Sequence, residues 1–148
     1  MSDQKERFKI RTAVYLIPIK DGNVLLSRRY KTGWMDGNYS LISGHVDGKE
    51  KASDAMIRET YEESGIKVEK EDLIPVTVVH SNSSQEYIDI YFKTERWTGI
   101  PTIIEPDKCD DLSWFPINKL PENIVPNVKT VIESLNSNIP LLELGWEK

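Results

Sequence analysis

Cysteine is almost missing from this 148-residue chain: Cys109 stands alone, so no disulfide can close within it. Histidine is nearly as scarce, and with only His45, His80 and Cys109 as soft ligands a structural zinc site is not expected. Any metal should be held by oxygen. No stretch approaches the roughly 18 consecutive apolar residues of a membrane-spanning helix, and residues 1–9 lack the apolar run of a signal peptide. Together these absences predict a cytoplasmic protein with no membrane partner. Basic charge is short too. Lys and Arg number 19 against 24 Asp and Glu, a net charge of -5, which argues against wrapping a nucleic-acid duplex, where clustered cations supply the binding energy. An anionic substrate would need local help from a metal or a few placed cations. Repeats, linkers and low-complexity tracts are also missing, so one domain over residues 1–148 is expected.

What is present alternates between strand and helix patterns. Residues 11–19 and 24–27 are β-branched and apolar, and the turn Lys20-Asp21-Gly22-Asn23 between them predicts a hairpin. Residues 31–37 should form a loop, residues 39–42 a short strand, and Ser43-Gly44 the opening of a turn. Residues 51–64 are free of Gly and Pro and stop at Gly65, as a glycine-capped helix does. Strands are expected over 73–80 and 87–94 around a polar turn at 81–85, and again over 111–115. Val128, Val131, Ile132 and Leu135 share the spacing of an amphipathic helix over 127–135, and the apolar tail at 140–146 should pack back on the body. Strands on both sides of one helix, with a second helix near the end, predict an α/β protein with a mixed sheet flanked by helices.

The first helix carries an unusual charge pattern. Residues three and four apart share a helical face, so Glu59, Glu62 and Glu63 crowd together, and Glu59 and Glu63 prolong the stripe begun by Ala52, Ala55 and Met56. A solvated acidic face is the ordinary reading of such a pattern. Only Arg58 lies within a turn to neutralise these carboxylates. Like charges cost roughly 0.2 to 0.5 kcal/mol per pair, a penalty that a hard cation bound by carboxylates and substrate phosphates would reverse.

Gly44, Glu50, Arg58, Glu59, Glu62, Glu63, Gly65 and Ile66 fit the signature G-x5-E-x7-R-E-U-x-E-E-x-G-U over residues 44–66, and the chain therefore resembles the Nudix hydrolase family. A chance match in a chain of this length is on the order of one in a million at average residue frequencies. Thr60 departs from the pattern, which usually has an aliphatic residue there, and altered packing is the expected result. The resemblance implies an α/β/α sandwich and metal ligation by Glu59, Glu62, Glu63 and the Gly44 carbonyl, with Mg²⁺ or Mn²⁺ as the cofactor. It also implies that Arg58 and Glu50 form a pair that orients the glutamates. Either Glu62 or Glu105 would serve as general base, since Glu105 follows Trp97-Thr98-Gly99 at the spacing where MutT-like relatives carry a further acid.

The same resemblance makes Arg29, second of the Arg28-Arg29 pair, a phosphate contact, and leaves Asn123 as a base-reading candidate in an ambiguously aligned segment. Tyr30, Trp34, Tyr39 and Trp97 could stack on a base, although buried aromatics are more often core. His45 occupies a free position of the motif and reads as a loop histidine. The implied partner is a nucleotide or another diphosphate-containing small molecule, handled by a monomer or homodimer, and a MutT-like nucleoside triphosphate pyrophosphohydrolase is the expected activity. A non-catalytic Nudix module that binds a nucleotide or protein is the alternative, and the intact set of charged box residues speaks against it. A Nudix-type isoprenoid diphosphate isomerase would want a cysteine and glutamate site, which Cys109 alone does not make.

Overall fold

A computed structural model describes residues 5–147 of the chain. Strand β1 (Arg11–Lys20) turns into β2 (Asn23–Arg29) through Asp21 and Gly22, whose φ of 52° and 77° give the left-handed two-residue loop that suits the twist of a hairpin. Lys20 pairs with Asn23 and Ile19 with Val24, after which the two strands diverge. Along one edge β1 runs parallel to β6 (Glu86–Thr94); along the other it pairs first with β4 (Ile42–His45) and then with β2. Strand β2 in turn is flanked by β3 (Tyr39–Ser40) and β7 (Cys109–Pro116). Strand β5 (Ile74–Asn82) lies antiparallel to β6 and parallel to β8 (Leu141–Leu144), completing a mixed sheet.

The period of two along β1 sorts its side chains into two cores. Val14 and Leu16 point to the face covered by helix α1 (Ala52–Ser64), where they meet Ala55, Met56, Ile66 and Phe92. Tyr15 and Ile17 point to the opposite face, against Tyr91 and Val128, Val131 and Ile132 of helix α2 (Pro126–Glu133). A helix on each face of one mixed sheet makes the expected α/β/α sandwich. No helix among the described residues is long and apolar enough to cross a membrane.

Four expectations need revision. Residues 39–42 are not one strand: Leu41 separates β3, which pairs with β2, from β4, which pairs with β1. Ser43 and Gly44 are not a turn, because β4 continues through them and Gly44 lies opposite Val14. His45 is consequently a strand residue and not a loop histidine. The tail does more than pack on the body, since β8 adds a parallel strand to β5 and the Trp146 indole donates to the His80 carbonyl at 3.0 Å. Short edge strands like these are set by the partner they find, a long-range effect that local pattern does not carry.

Candidate active site

Helix α1 is a Gly- and Pro-free run that starts after Lys51 and stops at Gly65, whose φ of 76° ends the helix while its N–H bonds the Tyr61 carbonyl at 2.9 Å. Ala55, Met56, Thr60 and Ser64 face the core. Glu59 and Glu63 stand on the adjoining strip, half-buried, and Glu62 is exposed.

Arg58 is the hub of the acidic cluster. Its Nε and Nη2 donate to Oε2 and Oε1 of Glu50 at 2.9 and 3.0 Å, a two-pronged pairing that suits the planar guanidinium. Nη1 donates to Glu59 at 2.8 Å and Glu62 at 3.2 Å, and Nη2 reaches the His45 carbonyl at 3.1 Å. The Arg58 guanidinium, together with the Asp47 N–H, holds the Glu50 carboxyl well below the usual carboxylate range, and the Arg58 pKa is raised in return. Glu50 thus ties the 47–50 loop to the middle of α1.

Glu59 presses against β4 at Gly44, where a Cβ would overlap its Cγ, Cδ and Oε2 atoms. Glu63 has only the Ser43 N–H as a hydrogen-bond donor, at 3.4 Å, and forms no ion pair among the described residues. Burial first, and then the neighbouring Glu59 carboxylate, push its pKa well above the ordinary range. Among the described residues no three His, Cys, Asp or Glu side chains converge as a ready-made metal cage. Glu59 and Glu62 are instead both held by Arg58 Nη1.

These groups edge an open cleft of about 670 Å³ lined by Gly44, Glu59, Glu62, Glu63, Glu105 and Arg29 among others. Arg29 enters from the end of β2, held by Nε to the Trp34 carbonyl at 2.6 Å and Nη2 to Thr32 Oγ1 at 2.8 Å, with its guanidinium 5.0 Å from the centre of the Trp34 ring. Glu105 is half-buried, with Lys108 3.8 Å away. Asn123 is not brought to the cleft: its amide donates to the Gly37 carbonyl at 2.9 Å.

A second hollow, about 300 Å³, opens beside the cleft and shares Arg29, Ser43, Gly44 and His45 with it. Of the aromatic candidates only Trp34 lines it. Tyr39 is buried edge-on to Phe115, Trp97 stacks on Trp114 at 5.8 Å, and Tyr30 lies under Lys31. Tyr15, Tyr91, Asp89 and Asn127, none singled out from sequence, line it instead. A charged residue at a core-facing position of the apolar run YIDIYF was the available signal for Asp89.

The NUDIX domain family model matches residues 9–135. The oxidized purine nucleoside triphosphate hydrolase of Danio rerio is 27% identical over 117 residues, covering 77% of this chain and 71% of that protein. The NAD-capped RNA hydrolase NudC of Pseudomonas putida (strain GB-1) is 24% identical over 76% of this chain, which spans only 39% of that protein's length. Among solved structures, the MutT NUDIX hydrolase from Burkholderia pseudomallei matches with a TM-score of 0.80 at 26% identity, over 87% of this chain and all of that one. A NUDIX hydrolase from Nitrosomonas europaea shares the fold at a TM-score of 0.75 and 19% identity, over 90% and 93% of the two chains. The sandwich, the glutamate-bearing helix behind Gly44 and a family match over most of its length agree: this chain belongs to the NUDIX hydrolase family.

Proposed function

We propose that this chain hydrolyses the diphosphate linkage of a nucleoside diphosphate joined to a further group, most readily a nucleoside triphosphate, releasing a nucleoside monophosphate and pyrophosphate. The observation that carries this reading is the cleft itself, which Glu59, Glu62, Glu63, Glu105 and Arg29 line together, with Glu63 half-buried and without a cationic partner among the described residues. The Danio rerio relative's name points the same way.

The donor set suits Mg²⁺ or Mn²⁺, because it consists of hard oxygens and includes the half-buried Glu63 carboxyl, which pairs with no cation among the described residues. Glu59, Glu62, Glu63 and the Gly44 carbonyl would hold the ion. When bound, such an ion neutralises phosphate oxygens and makes a water more acidic. The remaining work falls to side chains. Glu62, exposed in the cleft, accepts the proton of the attacking water, with Glu105 on the same cleft as the second base. Arg58, clamped by Glu50, steadies Glu59 and Glu62. Arg29, its guanidinium anchored by Thr32 and Trp34, holds a phosphate in place.

A metal-supplemented screen of nucleoside triphosphates, dinucleoside polyphosphates and nucleotide sugars, with products resolved, tests the proposal. Turnover should need Mg²⁺ or Mn²⁺, stop with a chelator, and fall about 100-fold or more in Glu62→Gln and Glu63→Gln. Undiminished turnover in those variants, or saturable nucleotide binding with no turnover across the panel, overturns it.

A further inference from the structure

We infer that the hollow beside the cleft reads a nucleobase through Asp89, selecting a planar base that presents two adjacent N–H donors, as the ring N–H and exocyclic amine of guanine do. Asp89, in β6, is 4% exposed and is the only charged side chain among the fully buried described residues. It forms no ion pair among them. Among the described residues its carboxylate accepts one side-chain hydrogen bond, from Ser81 Oγ to Oδ2 at 2.9 Å. Among the described residues Oδ1 accepts no hydrogen bond, and Asp89 lines the hollow. A buried carboxylate with an idle oxygen is costly, and a ligand that donates to it removes that cost.

The surroundings define the rest of the ligand. Tyr15 and Tyr91 stack with ring centres 4.5 Å apart and planes 8° from parallel, and Trp34 lies on the same hollow with the Arg29 guanidinium against its ring. Tyr91, 1% exposed, backs Tyr15 from behind, so the half-buried rings of Tyr15 and Trp34 are the flat surfaces offered to a flat ring. The volume, about 300 Å³, is at the small end of ligand sites. Because Arg29, Ser43, Gly44 and His45 border both spaces, a nucleotide with its phosphates in the cleft carries its base into the hollow. The inference rests on the proposed diphosphate site in this respect.

A carboxylate only accepts hydrogen bonds. Adenine and cytosine set an acceptor ring nitrogen beside their amine, and uracil flanks one N–H with two carbonyls, so each turns a lone pair toward the carboxylate. Guanine alone among the common bases offers two donors side by side.

Calorimetric binding of GMP, IMP and AMP without metal tests this apart from hydrolysis. GMP should bind the unmodified protein about tenfold or more tightly than AMP, the scale of one two-pronged base contact, with IMP intermediate because it lacks the exocyclic amine. In Asp89→Asn, which retains an oxygen for Ser81, the GMP-over-AMP preference should fall by about tenfold. AMP or IMP binding as tightly as GMP, no measurable binding of any of the three, or an unchanged preference in the variant overturns the inference. The IMP comparison on the unmodified protein decides the matter even if the variant does not fold. Absence of turnover in the metal-supplemented screen would instead overturn the hydrolase reading and leave a guanine preference standing.

Discussion

At Gly44 the missing side chain lets a carboxylate meet a strand. Gly44 has an ordinary strand pairing with Val14, so an added methyl strains no backbone there; the three nearest atoms it meets all belong to the flexible side chain of Glu59. Gly44→Ala should therefore displace the Glu59 carboxylate while leaving the fold in place. We expect metal-supported activity to drop about 10- to 100-fold with the melting temperature within about 2 °C of the parent. Turnover and thermal melts together check it; unchanged turnover would mean that Glu59 need not lie against β4. The signature made Gly44 and Glu59 legible as partners. Their contact is not, because 15 positions separate them and Ser43-Gly44 on its own reads as the opening of a turn.

At the level of the element, α1 carries an unsatisfied polar group on its core face. Thr60 is fully buried and its Oγ1 has no hydrogen-bond partner, which leaves a desolvated hydroxyl on the face that otherwise packs Ala55, Met56 and Ser64. The signature usually has an aliphatic residue at this position, which would bring no such hydroxyl. Thr60→Val keeps the β-branched shape and removes the orphaned group, so it should stabilise the protein by about 1 kcal/mol and raise the melting point by roughly 2 to 4 °C. A lower melting point would show that the hydroxyl finds a partner in solution. The helix was visible from composition and its glycine stop, and its ends moved by one residue at most. Strand β4 was invisible as an element, because four residues ending Ser-Gly-His resemble a turn until β1 is placed beside them.

For the whole molecule, stability against pH follows from which acids the sandwich encloses. Burial raises the Asp89 pKa from 3.8 to about 6, with the Ser81 hydrogen bond and His45 opposing the shift. The sign follows by linkage: the unfolded chain gives up this proton near pH 4 and the folded one near pH 6, so Asp89 costs stability progressively across that window and fully above it. Asp89→Asn removes the titration. Its stability relative to the parent should rise between pH 4 and pH 7 by on the order of 1 kcal/mol, once screening by water in the hollow is allowed for. Melting curves at both pH values check this, and a gap that stays flat or shrinks contradicts it. Stability and base reading would then pull in opposite directions at one residue.

The strand periods, the hairpin turn, the glycine-stopped helix and the spacing of Glu50, Arg58, Glu59, Glu62 and Glu63 are local properties. They depend on dihedral preference and on which neighbours along the chain share a face, so the sequence by itself determined the α/β class and the acidic cluster. The tertiary structure decided what those pieces meet. Closure of β1 between β4 and β6 puts Gly44 under Glu59 and sends Asp89 to the face shared by Tyr15 and Tyr91. The Asn123 amide turns to Gly37 and away from the cleft, while Asn127 lines the hollow. Pairings between distant strands depend on long-range burial and hydrogen bonding, which no window of sequence contains.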